Sequence, residues 1–175
     1  MKKWHRIGLV ASGILVIISW AVAIYYWDKL PAVIPTHFGI SGQPDDWNPK
    51  SAWYSFLIPG LQTVMFIIFS LLYKWPQYSD IPTTMLLMAM DEKKRDHAFA
   101  LIRTMLVGVL VWVELLLGYM TYAMNISALE KISGLSPWII GGLLIGMFAW
   151  LIWWTIKVYK LTRKLLEENG HKFAK

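Results

Sequence analysis

Four uninterrupted apolar runs constrain this chain more than any other feature: Ile7–Trp27, Tyr54–Tyr73, Leu101–Met124 and Trp138–Tyr159. At ~1.5 Å per residue, a helix of about 20 residues covers the ~30 Å of a hydrocarbon layer. Within that layer each backbone N–H and C=O must be paired inside its own segment, so helix is the expected conformation. Pro59, five residues into the second run, is tolerated there if the freed carbonyl finds a partner. The reading is an all-α membrane protein whose single integral domain fills residues 1–175. It has four transmembrane helices and an ordered Pro/Gly-rich outer loop between the first and second.

Composition agrees. The chain is 57% hydrophobic and only 16% charged, too poor in charge to coat itself with water. Its net charge of +6 does not point to nucleic acid, because the positions of the charges explain them. With the N-terminus placed inside, fourteen Lys and Arg fall on inner segments. Only Lys29, Lys50 and Lys131 fall outside. This positive-inside bias predicts a multi-pass membrane protein with both termini cytoplasmic. Lys2, Lys3 and Arg6 before an apolar run, with Ala21-Val22-Ala23, also resemble a cleavable signal. Tyr25-Tyr26-Trp27 reads instead as an interfacial anchor and favours a retained span. With no cysteine, disulfides, thiolate metal sites and cysteine nucleophiles are excluded.

Residues 28–53 hold half of the eight prolines, together with Gly39 and Gly42. Such a segment cannot continue a helix. Phe38, Trp47 and Trp53 offer it apolar surface to bury, so the expectation is a folded cap on the outer helix ends. Within it Ser41–Asp45 reads as a turn. His37 with Asp45 and Asp46 is a weak candidate for a divalent metal site, since no H-E-x-x-H or second outer histidine accompanies it. Otherwise no cofactor is expected.

One carboxyl interrupts the spans. Glu114 sits 13 residues from one end of its run and 10 from the other, where an ionised group is expensive and functional by default. On its helical face lie Gly118, Thr121 or Tyr122, and Asn125. By depth along the helices, Glu114, Gln62 and Ser19 fall at similar levels, about 12–15 Å below the outer ends. They form one expected polar layer, either a hydrogen-bonded glue or a proton- or ligand-coupled site.

On the inner side, Thr83 or Asp91 is a candidate cap for a helix entering the third span. The Met-rich stretch 83–90 with the charges that follow suits either an interfacial position or a solvated helix face. The tail from Lys157 reads as a basic helix that stops near Gly170. His5, His97 and His171 are expected on the surface. Gly142-x-x-x-Gly146 permits close helix approach, within the bundle, in a homo-oligomer or against a partner membrane protein.

The outer segment Pro31-x-x-x-Pro35-Thr36-His37-Phe38-Gly39-x-x-Gly42-x-Pro44-Asp45-x-Trp47-x-x-Lys50 resembles the bacterial family called domain of unknown function 1648. That family places such a loop after a first transmembrane helix, and the likeness here runs to about Pro59. Some members are Sdp-type immunity proteins, which protect a producer cell from its own membrane-active toxin. The longer immunity proteins have more spans and a second C-terminal domain. The resemblance implies an outward-facing recognition cap, with His37, Gly42, Pro44, Asp45 and Lys50 as motif positions and Trp47 among them.

Three functions are therefore carried forward. The first is non-enzymatic sensing, binding or immunity toward a membrane-active peptide or envelope ligand at the outer face. The second is a proton-coupled transport component centred on Glu114. The third is a metal-dependent membrane enzyme using His37, Asp45 and Asp46. The lipid bilayer is the one partner all three share.

Overall fold

The computed structural model describes residues 3–79, 88, 91–130 and 132–168. Helix α1 spans Lys3–Trp27, α2 Ala52–Lys74, α3 Glu92–Ala128 and α4 Pro137–Glu168. A one-turn 3-10 helix at Pro76–Tyr78 follows α2. Among the described residues these are four helices long and apolar enough to cross a membrane. In length and composition they are compatible with a multi-pass membrane protein. Both α3 and α4 continue beyond their apolar runs into charged sequence.

The all-α expectation needs one correction. Strands β1 (Val33–Phe38) and β2 (Pro44–Pro49) pair antiparallel between α1 and α2, with Val33 opposite Pro49 and Phe38 opposite Pro44. Prolines hide this hairpin from a sequence reading, because proline cannot donate to a ladder. A two-stranded sheet has only edge strands, so Pro35, Pro44 and Pro49 keep their missing N–H groups off the shared ladder. The turn also lies earlier than Ser41–Asp45. Gly39 N donates to Gln43 O and Gly42 N to Gly39 O, while Pro44 and Asp45 already belong to β2.

Local caps explain where α2 begins and ends. Ser51 Oγ accepts from Tyr54 N at its start. At its end Arg103 Nε donates to Tyr73 O, which satisfies a terminal carbonyl, and Pro76 stops the helix. Asp91 precedes α3 but makes no side-chain cap bond. Thr83, Gly170 and His171 lie outside the described residues, as does the Met-rich stretch apart from Met88.

The bundle is organised around α3, which packs on all three other helices, whereas α4 packs chiefly on α3. Helices α1 and α3 run parallel with a constant register: His5 meets Thr104, Gly8 meets Val107, and Ser19 meets Gly118. The buried positions of α1 are His5, Ser12, Val16, Ser19 and Ala23, a near-heptad stripe suited to a left-handed pair. His5 is therefore not a surface residue. Its Nε2 lies 3.0 Å from Thr104 Oγ1 and its Nδ1 3.4 Å from Tyr73 Oη. Thr104 spends its own proton on Ala100 O, so His5 Nε2 is the donor in that pair. His97 is exposed, as expected.

Helix α4 is held differently. Trp150 lies against Gly108 of α3, and Trp112 of α3 lies against Gly146. Within this chain the Gly142/Gly146 pair therefore does not seat a second backbone. Gly146 receives an indole, and Gly142 meets no side chain within 4 Å of where a Cβ would stand.

Candidate functional site

Three local devices fix the hairpin over one end of the bundle. Ile34 packs with Leu30, Ala128 and Tyr54 beneath it. Lys50 Nζ donates to Trp27 O at 3.2 Å and Leu30 O at 3.3 Å, and stands 5.0 Å from the Trp27 ring. A lysine here closes the carbonyl end of α1, the place where a cation is favoured. The third device is the hairpin tip. Leu135 N donates to Gly42 O at 2.8 Å, joining the tip to the connection between α3 and α4. Gly42 adopts φ +79°, and a Cβ there would collide with Leu135 O. Only glycine meets both demands. Tyr119 Oη reinforces the same connection by accepting from Ser136 N at 2.8 Å.

Lys50 and Gly42, expected as motif positions, are thus placed where they hold the cap's architecture. Phe38 is half-buried, whereas Trp47 and Trp53 are exposed. The apolar contact surface of the cap comes instead from Leu30, Ile34 and Pro35. Pro44 starts β2 opposite Phe38.

The polar side chains divide into two groups. His37 Nδ1 pairs with Asp45 Oδ1 in the open. Asp46 instead accepts from Thr36 Oγ1 at 3.3 Å and from Asn48 Nδ2 at 3.1 Å, with Asn48 also donating to Thr36. Successive strand residues face opposite ways, so neighbouring carboxylates are directed to different partners. Among the described residues, no three His, Asp or Glu gather in a way that could hold a metal.

Beneath this hairpin is a groove of about 670 Å³. Its floor is Met120 and Met124 of α3, and its walls are Leu57 and Ile58 of α2 and Ile140 and Leu144 of α4. Its roof is the hairpin from Thr36 to Ile40, His37 included. The volume falls within the roughly 300–1,000 Å³ of small-molecule sites, and an apolar lining with a few polar groups at one edge is their usual make-up. The groove exists because α4 packs on α3 while leaving α2 largely untouched. No sequence periodicity marks it, since its walls come from three helices distant in the chain.

Deeper in the bundle, Glu114 and Gln62 are both fully buried and meet directly. Gln62 Nε2 donates to Glu114 Oε2 at 2.9 Å and to the Glu114 backbone O at 3.2 Å. Ser19 joins them at Gly118. A Cβ at Gly118 would stand 3.5 Å from Ser19 Oγ and 3.7 Å from Gln62 Nε2. The three expected polar residues therefore share one layer. Glu114 Oε1 and Gln62 Oε1 find no hydrogen-bond partner among the described residues.

Residues 14–63 match the model of the family described as domain of unknown function (DUF1648), which is the family that the 31–50 motif resembles. The matched segment runs from mid-α1 through the hairpin to mid-α2, so it includes Ser19 and Gln62 but not Glu114. The chain is also similar to an uncharacterized protein of Archaeoglobus fulgidus, with 26% identity over 87 residues. That likeness covers 46% of this chain and 45% of the relative, so the chain matches less than half the relative's length. No solved structure matches it.

Proposed function

We propose that this chain is a non-enzymatic binding protein of the bacterial plasma membrane, with the hairpin outside and both termini in the cytoplasm. Its ligand is a membrane-active peptide or an envelope amphiphile that enters the groove from the lipid phase. The groove itself carries this reading. It is mostly apolar, it lies between helices long and apolar enough to span a membrane, and its polar side chains, Thr36, His37 and Tyr54, sit at the hairpin end. An apolar body would rest between α2 and α4 while a polar end meets His37 and Asp45 at the surface.

An immunity-type role follows from the same geometry: a ligand held here is withdrawn from the bilayer it would otherwise disrupt. This role also fits the resemblance of the loop to Sdp-type immunity proteins. A metal-dependent enzyme is less well supported, because His37 engages one carboxylate and Asp46 engages Thr36 and Asn48.

The test is expression in a peptide-sensitive bacterium challenged with a panel of membrane-active peptides. Protection against at least one peptide is expected. It should be lost when Met124→Trp fills the groove floor, and kept when Trp75→Phe alters the far end of α2. Unchanged sensitivity to the whole panel, with the protein shown in the membrane, overturns the immunity role. Absence of groove-dependent binding to the same peptides in nanodiscs overturns the binding role.

A further inference from the structure

The buried layer carries an inference independent of the groove. Glu114 is the sole acidic side chain within the four apolar runs, whose basic ones, Arg103 and Lys157, lie at the ends remote from the hairpin. Helix α1 has no Asp, Glu, His, Lys or Arg between Arg6 and its end, α2 has none before Lys74, and α4 has none before Lys157. The carboxyl thus faces no counter-charge from any helix packed against it. An ionised carboxylate in that position is expensive. Gln62 donates to Oε2, which leaves Oε1 for the proton, and Oε1 is the oxygen without a partner.

Toward the hairpin polar groups recur along α3, whereas the other way only Ser12 Oγ, buried and without a partner among the described residues, interrupts the apolar contacts before His5 and Thr104. Toward the hairpin come Ser19 Oγ and Gln62 Nε2 at Gly118, then Thr121, then Asn125, whose Nδ2 donates to Thr121 O at 2.7 Å. These steps along α3 are about 4.5–6 Å each at ~1.5 Å per residue. They end at a cavity of about 20 Å³ whose walls are largely apolar and whose polar lining is Tyr54, Ser55, Thr121 and Asn125. A water needs roughly 10–15 Å³ of such space and two or more polar partners. Ser55 Oγ is buried and has no partner among the described residues, so a water there would complete it. In the opposite direction Val107 packs on Gly8, and Phe66 lies beside Gly13. On α1, Ser12 is the only buried polar residue between Ser19 and His5. That stretch separates the layer from Thr104 by ten residues of α3, about 15 Å.

We propose that Glu114 is a proton-binding site that exchanges with the aqueous phase on the hairpin side, through a water held between Ser55 and Asn125. On release the acid O–H bond breaks, water takes the proton, and the carboxylate keeps the electron pair facing the Gln62 amide. On return the carboxylate recovers a proton from the same water. The stretch between Glu114 and Thr104, apolar apart from Ser12, blocks exchange with the other side.

Infrared difference spectra of oriented proteoliposomes test this. Glutamate carrying ¹³C at its side-chain carboxyl identifies the neutral-acid carbonyl band in wild type, and Glu114→Gln removes the band. The band should be present at neutral pH. It should vanish when pH is raised on the hairpin side alone and persist when it is raised on the opposite side alone. Thr121→Val with Asn125→Leu should slow the response roughly tenfold or more. A band absent at neutral pH, or one that follows the opposite side, overturns the proposal. So does a response indifferent to Thr121 and Asn125. No ligand enters this measurement, so its failure is separable from failure of the groove reading.

Discussion

The two faces of α3 are built on opposite plans. Toward α1 and α2 it presents Thr104, Glu114, Gly118, Thr121 and Asn125, and the contacts are hydrogen bonds and small residues in close register. Toward α4 it presents Gly108 and Trp112, and the contact is mainly a reciprocal exchange of indoles into glycine hollows, to which Trp150 Nε1 adds one hydrogen bond to Met105 O at 3.3 Å. Lipid is as apolar as leucine, so helices inside it gain little from burying grease against grease. Polar pairing specifies the three-helix side, and shape specifies the α4 side. The lesson is that α4 is the separable element, and the groove is what its separate seating leaves open.

The comparison can be broken most severely at Gly108. Gly108→Val forces Trp150 from its seat and should cost about 1–3 kcal/mol, the usual penalty of overpacking. Cysteine pairs introduced across α3 and α4 should lose their cross-linking, while pairs across α1 and α3 keep theirs. Retained α3–α4 cross-linking would show that the indole exchange does not hold α4. Gly42→Val, which strains φ and removes the docking against Leu135, should cost about 1–3 kcal/mol by thermal unfolding in detergent. It should also expose the hairpin to protease.

A smaller effect sharpens the other side of the comparison. A double-mutant cycle on Glu114→Leu and Gln62→Leu should return a coupling near 0.6 kcal/mol and no more than about 1.7 kcal/mol. The double variant should be more stable than Gln62→Leu alone, because it leaves no unanswered carboxyl. Smallest of all, His37→Gln should shift stability by less than about 0.5 kcal/mol, since the pair with Asp45 is solvent-exposed. The unfolding midpoint checks this, and a larger loss would make His37 part of the hairpin's framework.

Much of this architecture was legible from the residues. The four runs locate the four helices, because no other conformation satisfies a backbone in hydrocarbon. Counting depth along the runs placed Glu114, Gln62 and Ser19 together, since helical rise is nearly constant. The hairpin was not legible, because its ladder uses prolines that argue locally against a strand. The task of Gly42 was hidden too, because its partner, Leu135, lies in a different connection far along the chain. His5 looked superficial beside Arg6, yet it lies on the buried stripe shared with Ser12 and Ser19. Lys50 counted as an outer charge, whereas its ammonium is engaged by the carbonyls of Trp27 and Leu30.

The single backbone bond between Gly42 and Leu135 carries a mechanical meaning. It fastens the lid to the very strap from which α4 hangs, so a load on either is felt by the other. Severing that bond would therefore free the lid and slacken the strap in one stroke.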